Sequence, residues 1–220
     1  MIKLENASID SRVQVERFTL SEKSCGVIGP NGAGKSSFLK MIAQLEDFQG
    51  SIICEGDVAY CGDATSLQSD MLASEVLFYA RGNKAQNSDF LNHLIKHFNF
   101  TTLLNRPVST LSGGEKQRLN IISIFYYDCD YTLLDEPTNY LDPIYVDLLS
   151  EFLKSWEKSL FIVSHNLNFV IDNCQQLLAF NDGCVSFDGK TSKALDDKAF
   201  DKVFLKEFNY QSFDGRRYIL

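Results

Sequence analysis

Short apolar runs alternate with longer stretches of helical period along this chain, a pattern that predicts an α/β layer fold. Residues 2–4, 13–20 and 25–28 read as strands, the last stopping at Gly29. Residues 35–44 then read as a helix with Phe38, Leu39, Ile42 and Leu45 on one side. The pattern returns to strand at 51–54 and 58–61. From 64 to about 128 its character changes: residues 71–80, 89–98 and 114–127 all have helical spacing, and no convincing strand separates them. This stretch is expected to be a helical lobe inserted into the α/β core, with the polar segment RGNKAQNSD (81–89) as its exposed loop. Strand spacing resumes at 131–134 and 160–164. Between them a helix is expected to open with Asp142 as N-cap and Pro143 at the first helical position. Residues 176–180 and 184–187 read as further strands joined by a turn at Asp182-Gly183.

Composition narrows the class without changing this outline. The 220 residues suit one large domain, or a core with a smaller lobe inserted, and 45% hydrophobic with 23% charged residues is ordinary for a globular protein. The net charge of −8 argues against nucleic-acid binding, which leans on clustered Lys and Arg. None of the six cysteines forms a CxxC pair or another metal-ligand spacing. They read as small buried hydrophobes of a reduced, cytosolic chain. The opening MIKLENASID lacks the apolar run of a signal peptide. No segment approaches the ~20 apolar residues of a spanning helix. The chain is expected not to cross a membrane, while remaining free to dock on a protein that does.

Three stretches carry chemistry. GPNGAGKSS (29–37) fits G-x-x-x-x-G-K-[ST] as Gly29, Gly34, Lys35 and Ser36, between a strand and a helix. Glycine lets backbone N–H groups converge on an anion, and the helix start adds partial positive charge. Lys35 would reach the β- and γ-phosphates, and the Ser36 hydroxyl would ligate Mg²⁺. By itself this motif marks a nucleoside triphosphate site without separating GTPase, kinase and transport ATPase. In LSGGEKQR (111–118), Ser112 caps a helix, and Gly113-Gly114 would let a ligand approach its start; a capping box with Glu115 accounts for the same residues. In YTLLDEPTNYLD (131–142), an apolar strand delivers Asp135 and Glu136 together. A buried unpaired carboxylate is costly, so a metal near Ser36 gives this pair a reason. Asp135 would bind it through its water shell, and Glu136 would orient and deprotonate the attacking water.

In this order and spacing the motifs resemble the nucleotide-binding domains of the ATP-binding cassette family. GPNGAGKSS looks like the Walker A loop, LSGGEKQR like the family signature, LLDEP like the Walker B strand, NYLD (139–142) like the D-loop, and SHNL (164–167) like the switch region with His165. The resemblance implies a P-loop NTPase core of α/β class, a mixed sheet flanked by helices with N-terminal antiparallel strands, over residues 1–63 and 129–220. Residues 64–128 would be the inserted helical signature subdomain, and 1–220 a single ATP-binding domain. It further implies ATP and Mg²⁺ bound by Gly29, Pro30, Asn31, Gly32, Ala33, Gly34, Lys35, Ser36 and Ser37, with the metal held by Ser36, Asp135 and Asp63. Glu136, His165 and Lys35 would be catalytic. In the family two cassettes pack head to tail, so Ser112, Gly113 and Gly114 would touch the γ-phosphate held by a partner copy.

Some positions depart from the family pattern. VAYCGD (58–63) puts Asp63 where a metal-holding glutamine is usual, with Gln68 further along. No aromatic residue stands where the family stacks on adenine; Ile9 and Arg12 lie nearby, and an arginine plane could stack there. Ser37 stands where threonine is frequent. His93 and His97, four apart, lack a third ligand and read as surface residues. The tail KVFLKEFNYQSFDGRRYIL resembles those of importer subunits for iron-siderophores, haem or cobalamin. The expected protein is therefore the ATP-hydrolysing subunit of a transporter, an importer by preference. It would be cytoplasmic and peripheral on the inner face of the membrane, dimeric with ATP, and would meet separate permease subunits through residues 63–77. The alternatives are a soluble cassette ATPase acting on ribosomes and an ATP-binding regulatory module.

Overall fold

The computed structural model describes residues 1–64 and 68–220. Its frame is a nine-stranded sheet among the described residues, in the order β4-β1-β2-β9-β8-β3-β7-β6-β5. The strands are β1 Ile2–Ile9, β2 Val13–Thr19, β3 Ser24–Ile28, β4 Gln49–Cys54, β5 Val58–Cys61, β6 Tyr131–Asp135, β7 Ser159–Val163, β8 Gln176–Asn181 and β9 Cys184–Lys190. β5, β6, β7, β3 and β8 run parallel. They are covered on both faces, which is why they read as unbroken apolar runs. β4, β1 and β2 are antiparallel, and β9 returns antiparallel to β8. In β1 and β2 buried positions largely alternate with wetter ones, as half-covered strands require. β1 runs on to Ile9, beyond the expected 2–4, because its edge is paired on both sides by β2 and β4.

The helix α1, Lys35–Ile42, lies under the antiparallel strands and buries Phe38, Leu39 and Ile42. Phe38 packs edge-on against Phe18 at 5.6 Å between ring centres and tilts against Phe161 and Phe180. Leu45, expected on this face, is instead exposed, because the helix stops at Ile42 and Gln44 turns left-handed at φ 54°. Ile9, placed by sequence near the nucleotide base, is 2% exposed and belongs to this second core, so it cannot meet a ligand.

The other face carries α2 Ala73–Ala80, α3 Ser88–His97, α4 Gly113–Tyr127, α5 Pro143–Ser155 and α6 Leu167–Asn173. As expected, residues between β5 and β6 form helices and no sheet strand among the described ones. Their core is continuous with that of the sheet: Phe152 sits between Phe98 and Phe125 in tilted and edge-on contacts, and Trp156 meets Phe125 edge-on. The start of α5 differs in detail from expectation. Pro143 opens it, but the Asp142 side chain accepts no capping hydrogen bond. The tail forms α7 Thr191–Asp196, α8 Ala199–Phe204 and the small hairpin β10 Tyr210–Phe213 with β11 Arg216–Ile219, which Asn168 holds to α6 through the Ile219 backbone.

Other expectations are corrected by packing. Arg81 opens the polar 81–89 loop yet is 8% exposed. Its guanidinium donates to the Tyr126 and Ala85 carbonyls, and its end lies near Asp128. Lys84 and Lys158 donate to the Asp128 carbonyl, so three cations gather at the C-terminus of α4, where the helix dipole favours them. Cys25, Cys61, Cys129 and Cys174 are buried, but Cys54 is half-buried and Cys184 is exposed at the start of β9. His93 is exposed as expected, whereas His97 is half-buried and donates from Nε2 to the Leu148 carbonyl at 2.8 Å, pinning α3 to α5. His97→Ala should cost roughly 1–2 kcal/mol, from the lost hydrogen bond and its contacts with Phe98 and Phe152. A thermal melt followed by circular dichroism should show a midpoint about 2–8 °C lower. No helix among the described residues is long and apolar enough to cross a membrane.

Candidate functional site

At the carboxyl ends of the parallel strands, a cavity of about 320 Å³ is lined by Arg12, Asn31, Gly32, Ala33, Gly34, Lys35, Ser36, Ser37, Glu136 and His165. Ligands of open α/β sheets bind at this end. A larger concavity of about 540 Å³ lies at the opposite end, beside Glu22, Lys154 and Arg217. It is wide and shallow, and Glu22 and Lys190 in its wall are paired with each other at 3.3 Å, away from the glycine loop, so size alone does not mark the site.

The glycine loop 29–34 is shaped to receive an anion. Gly34 sits at φ 98°, and a Cβ there would lie 2.5 Å from the Arg12 carbonyl. Only glycine fits, and it brings no side chain to cap α1. The first N–H groups of α1 are left for an external acceptor. Lys35 is 7% exposed and donates from Nζ to the Gly29 and Pro30 carbonyls, both at 2.8 Å. Burial pushes its pKa down, while Glu136 and Asp135 pull it up. The ammonium is thus held inside the loop by backbone oxygens, in the middle of the anion cradle.

Behind the loop, Ser36 Oγ donates to Asp135 Oδ1 at 3.1 Å, and Tyr60 donates its hydroxyl to Asp135 Oδ2 at 2.8 Å. The β3–β7–β6–β5 order makes this meeting possible, since α1 starts beside the end of β6. A serine hydroxyl beside a carboxylate is a hard oxygen donor pair that suits Mg²⁺, an ion usually completed by waters and phosphate. Among the described residues no group of three or more His, Cys, Asp or Glu could hold a metal ion.

Glu136 follows at the strand end in a left-handed conformation, φ 51°, sparse for a residue with a Cβ. Its N–H donates to the Val163 carbonyl, which fixes the turn. His165 approaches it twice: the His165 N–H donates to Oε2 at 3.2 Å, and Nε2 lies 3.2 Å from Oε1. The second contact is an ion-pair distance outside hydrogen-bond geometry, so Oε1 is buried without a hydrogen-bond donor among the described residues. Burial raises the Glu136 pKa, opposed by the His165 backbone and ring, with Asp135 adding to the rise. Glu136 and His165 both line the cavity beside the glycine loop, so the carboxylate stands next to the anion cradle.

The remaining candidates are distributed differently. Arg12 lines the cavity, paired to Glu46 at 2.7 Å. Ser112, Gly113 and Gly114 lie outside the cavity lining, at the start of α4. There the capping box is formed: Ser112 Oγ accepts from the Glu115 N–H, and Glu115 Oε2 accepts from the Ser112 N–H. Gly114 passes so close to the D-loop that a Cβ would lie 2.6 Å from the Tyr140 carbonyl. Gln117 donates from Nε2 to the Pro137 carbonyl. Asp63 and Gln68 are exposed and absent from the cavity lining, while Tyr60 of the preceding strand reaches Asp135. Sequence reasoning missed Tyr60, Gln117 and the Thr138–Ser164 hydroxyl pair. The only signal for Tyr60 was a phenol one strand away from paired acids.

Comparison with known proteins agrees with this geometry. A family model described as ABC transporter matches residues 16–139. Elongation factor 3B of Saccharomyces cerevisiae is 34% identical over 158 residues, 70% of this chain, and the chain spans only 15% of that protein's length. The vitamin B12 import ATP-binding protein BtuD of Yersinia enterocolitica is 27% identical over 253 aligned positions that take in 100% of this chain and 98% of that protein. A solved ABC transporter in an inward-facing conformation superposes with a TM-score of 0.82, at 21% identity, over 99% of this chain and 95% of its own, a likeness of fold. With the glycine loop, the signature helix and the acidic strand end in one frame, this chain belongs to the ABC transporter family.

Proposed function

We propose that this cassette is the ATP-hydrolysing subunit of an importer and works as a pair of identical copies on separate permease subunits. One observation carries this reading: the likeness to a B12 import ATPase runs through all of this chain, tail included. The acidic balance of −8 agrees with a protein partner better than with nucleic acid. The exposed aromatics Phe78 and Tyr79 on α2 add apolar surface next to the proposed permease contact, residues 63–77; residues 65–67 of that stretch lie outside the described residues.

In this reading the triphosphate lies on the glycine loop, with backbone N–H groups of residues 31–37 and the Lys35 ammonium on its oxygens. Ser36 and Asp135 would hold a magnesium ion, which when bound neutralises phosphate charge; Asp63 stands outside the cavity lining. Glu136 orients the attacking water and takes its proton. His165 orients Glu136 and meets the γ-phosphate. Arg12 offers a guanidinium plane to the base. Ser112, Gly113 and Gly114 of the second copy close the site, and residues 64–128 move as the lobe that carries them.

A second reading is favoured by the 34% identity to an elongation factor and by TNYLD: a cassette acting on ribosomes. Fractionation separates the two. A tagged Glu136→Gln protein expressed in its native cell should sediment with membranes and purify, in ATP and Mg²⁺, with a polytopic permease. ATP-dependent sedimentation with ribosomes, and none with membranes, would overturn the importer.

A further inference from the structure

Both oxygens of Asp135 are engaged from opposite sides. Oδ1 accepts from Ser36, at the start of α1, and Oδ2 accepts from the Tyr60 hydroxyl at 2.8 Å. A carboxylate so held has no freedom to rotate about its own axis, and hydroxyl-to-carboxylate bonds are among the stronger hydrogen bonds of proteins. Tyr60 is itself held. It lies on β5, where Tyr60 pairs in register with Leu133 of β6, two residues before Asp135. Its ring packs on the second core, on the face of β5 opposite Ala59 and Cys61. The chain then passes directly over the ring at Gly62, where a Cβ would lie 2.8 Å from the ring edge and 3.1 Å from the hydroxyl. Gly62 does not need a left-handed conformation; what its missing side chain provides is room for the phenol. The Gly62 carbonyl accepts from Asn120 of α4, which fixes that crossing.

We infer that Tyr60 is a positioning residue for the metal: it sets the angle of the Asp135 carboxylate so that Oδ1 faces the Ser36 hydroxyl, and Gly62 is the space that lets it do so. This rests on the reading of Asp135 as a metal-holding carboxylate. Tyr60 touches neither nucleotide nor metal in this role; it acts through Asp135. Partners one step removed from a metal commonly alter its affinity by 10–100-fold when lost. A phenol that merely satisfied a buried acid would affect stability alone.

The experiment uses the full chain loaded with a non-hydrolysable ATP analogue and reads bound Mn²⁺ by electron paramagnetic resonance, alongside nucleotide affinity in EDTA. Tyr60→Phe keeps the ring and removes the hydroxyl. It should weaken Mn²⁺ binding about tenfold, leave metal-free nucleotide affinity within about twofold, and raise the Mg²⁺ needed for half-maximal ATPase more than it lowers turnover at high Mg²⁺. Gly62→Ala, which displaces the ring without touching Asp135, should act in the same direction, and it carries the test if Tyr60→Phe folds poorly. Asp135→Asn is the control. If it weakens Mn²⁺ binding while Tyr60→Phe and Gly62→Ala leave it unchanged, Tyr60 has no positioning role. If Asp135→Asn also leaves Mn²⁺ binding unchanged, the metal-site reading falls, and the inference with it.

Discussion

Replacing Glu136 by glutamine should slow ATP hydrolysis by about 10²–10⁴-fold, the usual contribution of a positioned general base, while ATP still binds. Glutamine matches the shape of the side chain and keeps an acceptor for the His165 N–H, which now meets Oε2 at 3.2 Å. It cannot take a proton from water. ATP held and not cleaved should keep two copies together, so gel filtration in ATP and Mg²⁺ should show a dimer that wild-type protein populates only transiently. Turnover at the wild-type rate would remove Glu136 from the chemistry.

The same variant tests the electrostatics independently. The folded-state pKa of Glu136 is raised above its ordinary 4.5, chiefly by burial. Folding therefore favours the protonated form. The stability this contributes is fully present below the unfolded pKa and is lost as pH rises through the raised folded value. Glutamine carries no charge to bury, so Glu136→Gln should melt higher than wild type at neutral pH, and the difference should shrink on acidification toward and below 4.5. A gap that widened on acidification would mean that the ionised form is the one the fold prefers.

Lys35→Ala should cost nucleotide affinity on the order of 10–150-fold, taking about 1.5–3 kcal/mol for a charge-assisted hydrogen bond to phosphate. The loss has two physical parts. The ammonium no longer meets the phosphates, and the Gly29 and Pro30 carbonyls, which both accept from Nζ at 2.8 Å, lose their shared donor. The second part loosens the loop in the absence of any ligand. Isothermal titration with ATP in EDTA isolates the lysine from the metal. Tight binding retained by this variant would refute the phosphate cradle.

The distance between reading and structure differs from element to element. β3, β6 and β7 were legible because strands covered on both faces leave continuous apolar runs with turn residues at their ends. The start of α4 was legible because a capping box is a four-residue signal, and the structure forms it. Leu45 was misread because periodicity does not say where a helix stops; the left-handed turn at Gln44 ends the stripe one residue early. Arg81 and His97 were misread because composition calls a segment polar without knowing what packs beside it. Here the C-terminal end of α4 and the Leu148 carbonyl wait for those side chains. Tyr60, three residues before Asp63, escaped notice because its meeting with Asp135 runs between neighbouring strands, β5 and β6, and belongs to no short motif.

Sequence by itself determined the local chemistry of this protein: a glycine loop before a helix, a capped second helix start, and paired acids at the end of an apolar strand. Each is a short stretch whose φ/ψ needs and side-chain types are set within a few neighbouring residues. Tertiary structure alone decided which of these pieces meet. The strand order brings Ser36 against Asp135 across 99 positions, and β5 brings Tyr60 there across 75. Such meetings depend on register and crossover handedness, which are settled by the burial of whole faces and leave no mark in the residues that finally touch.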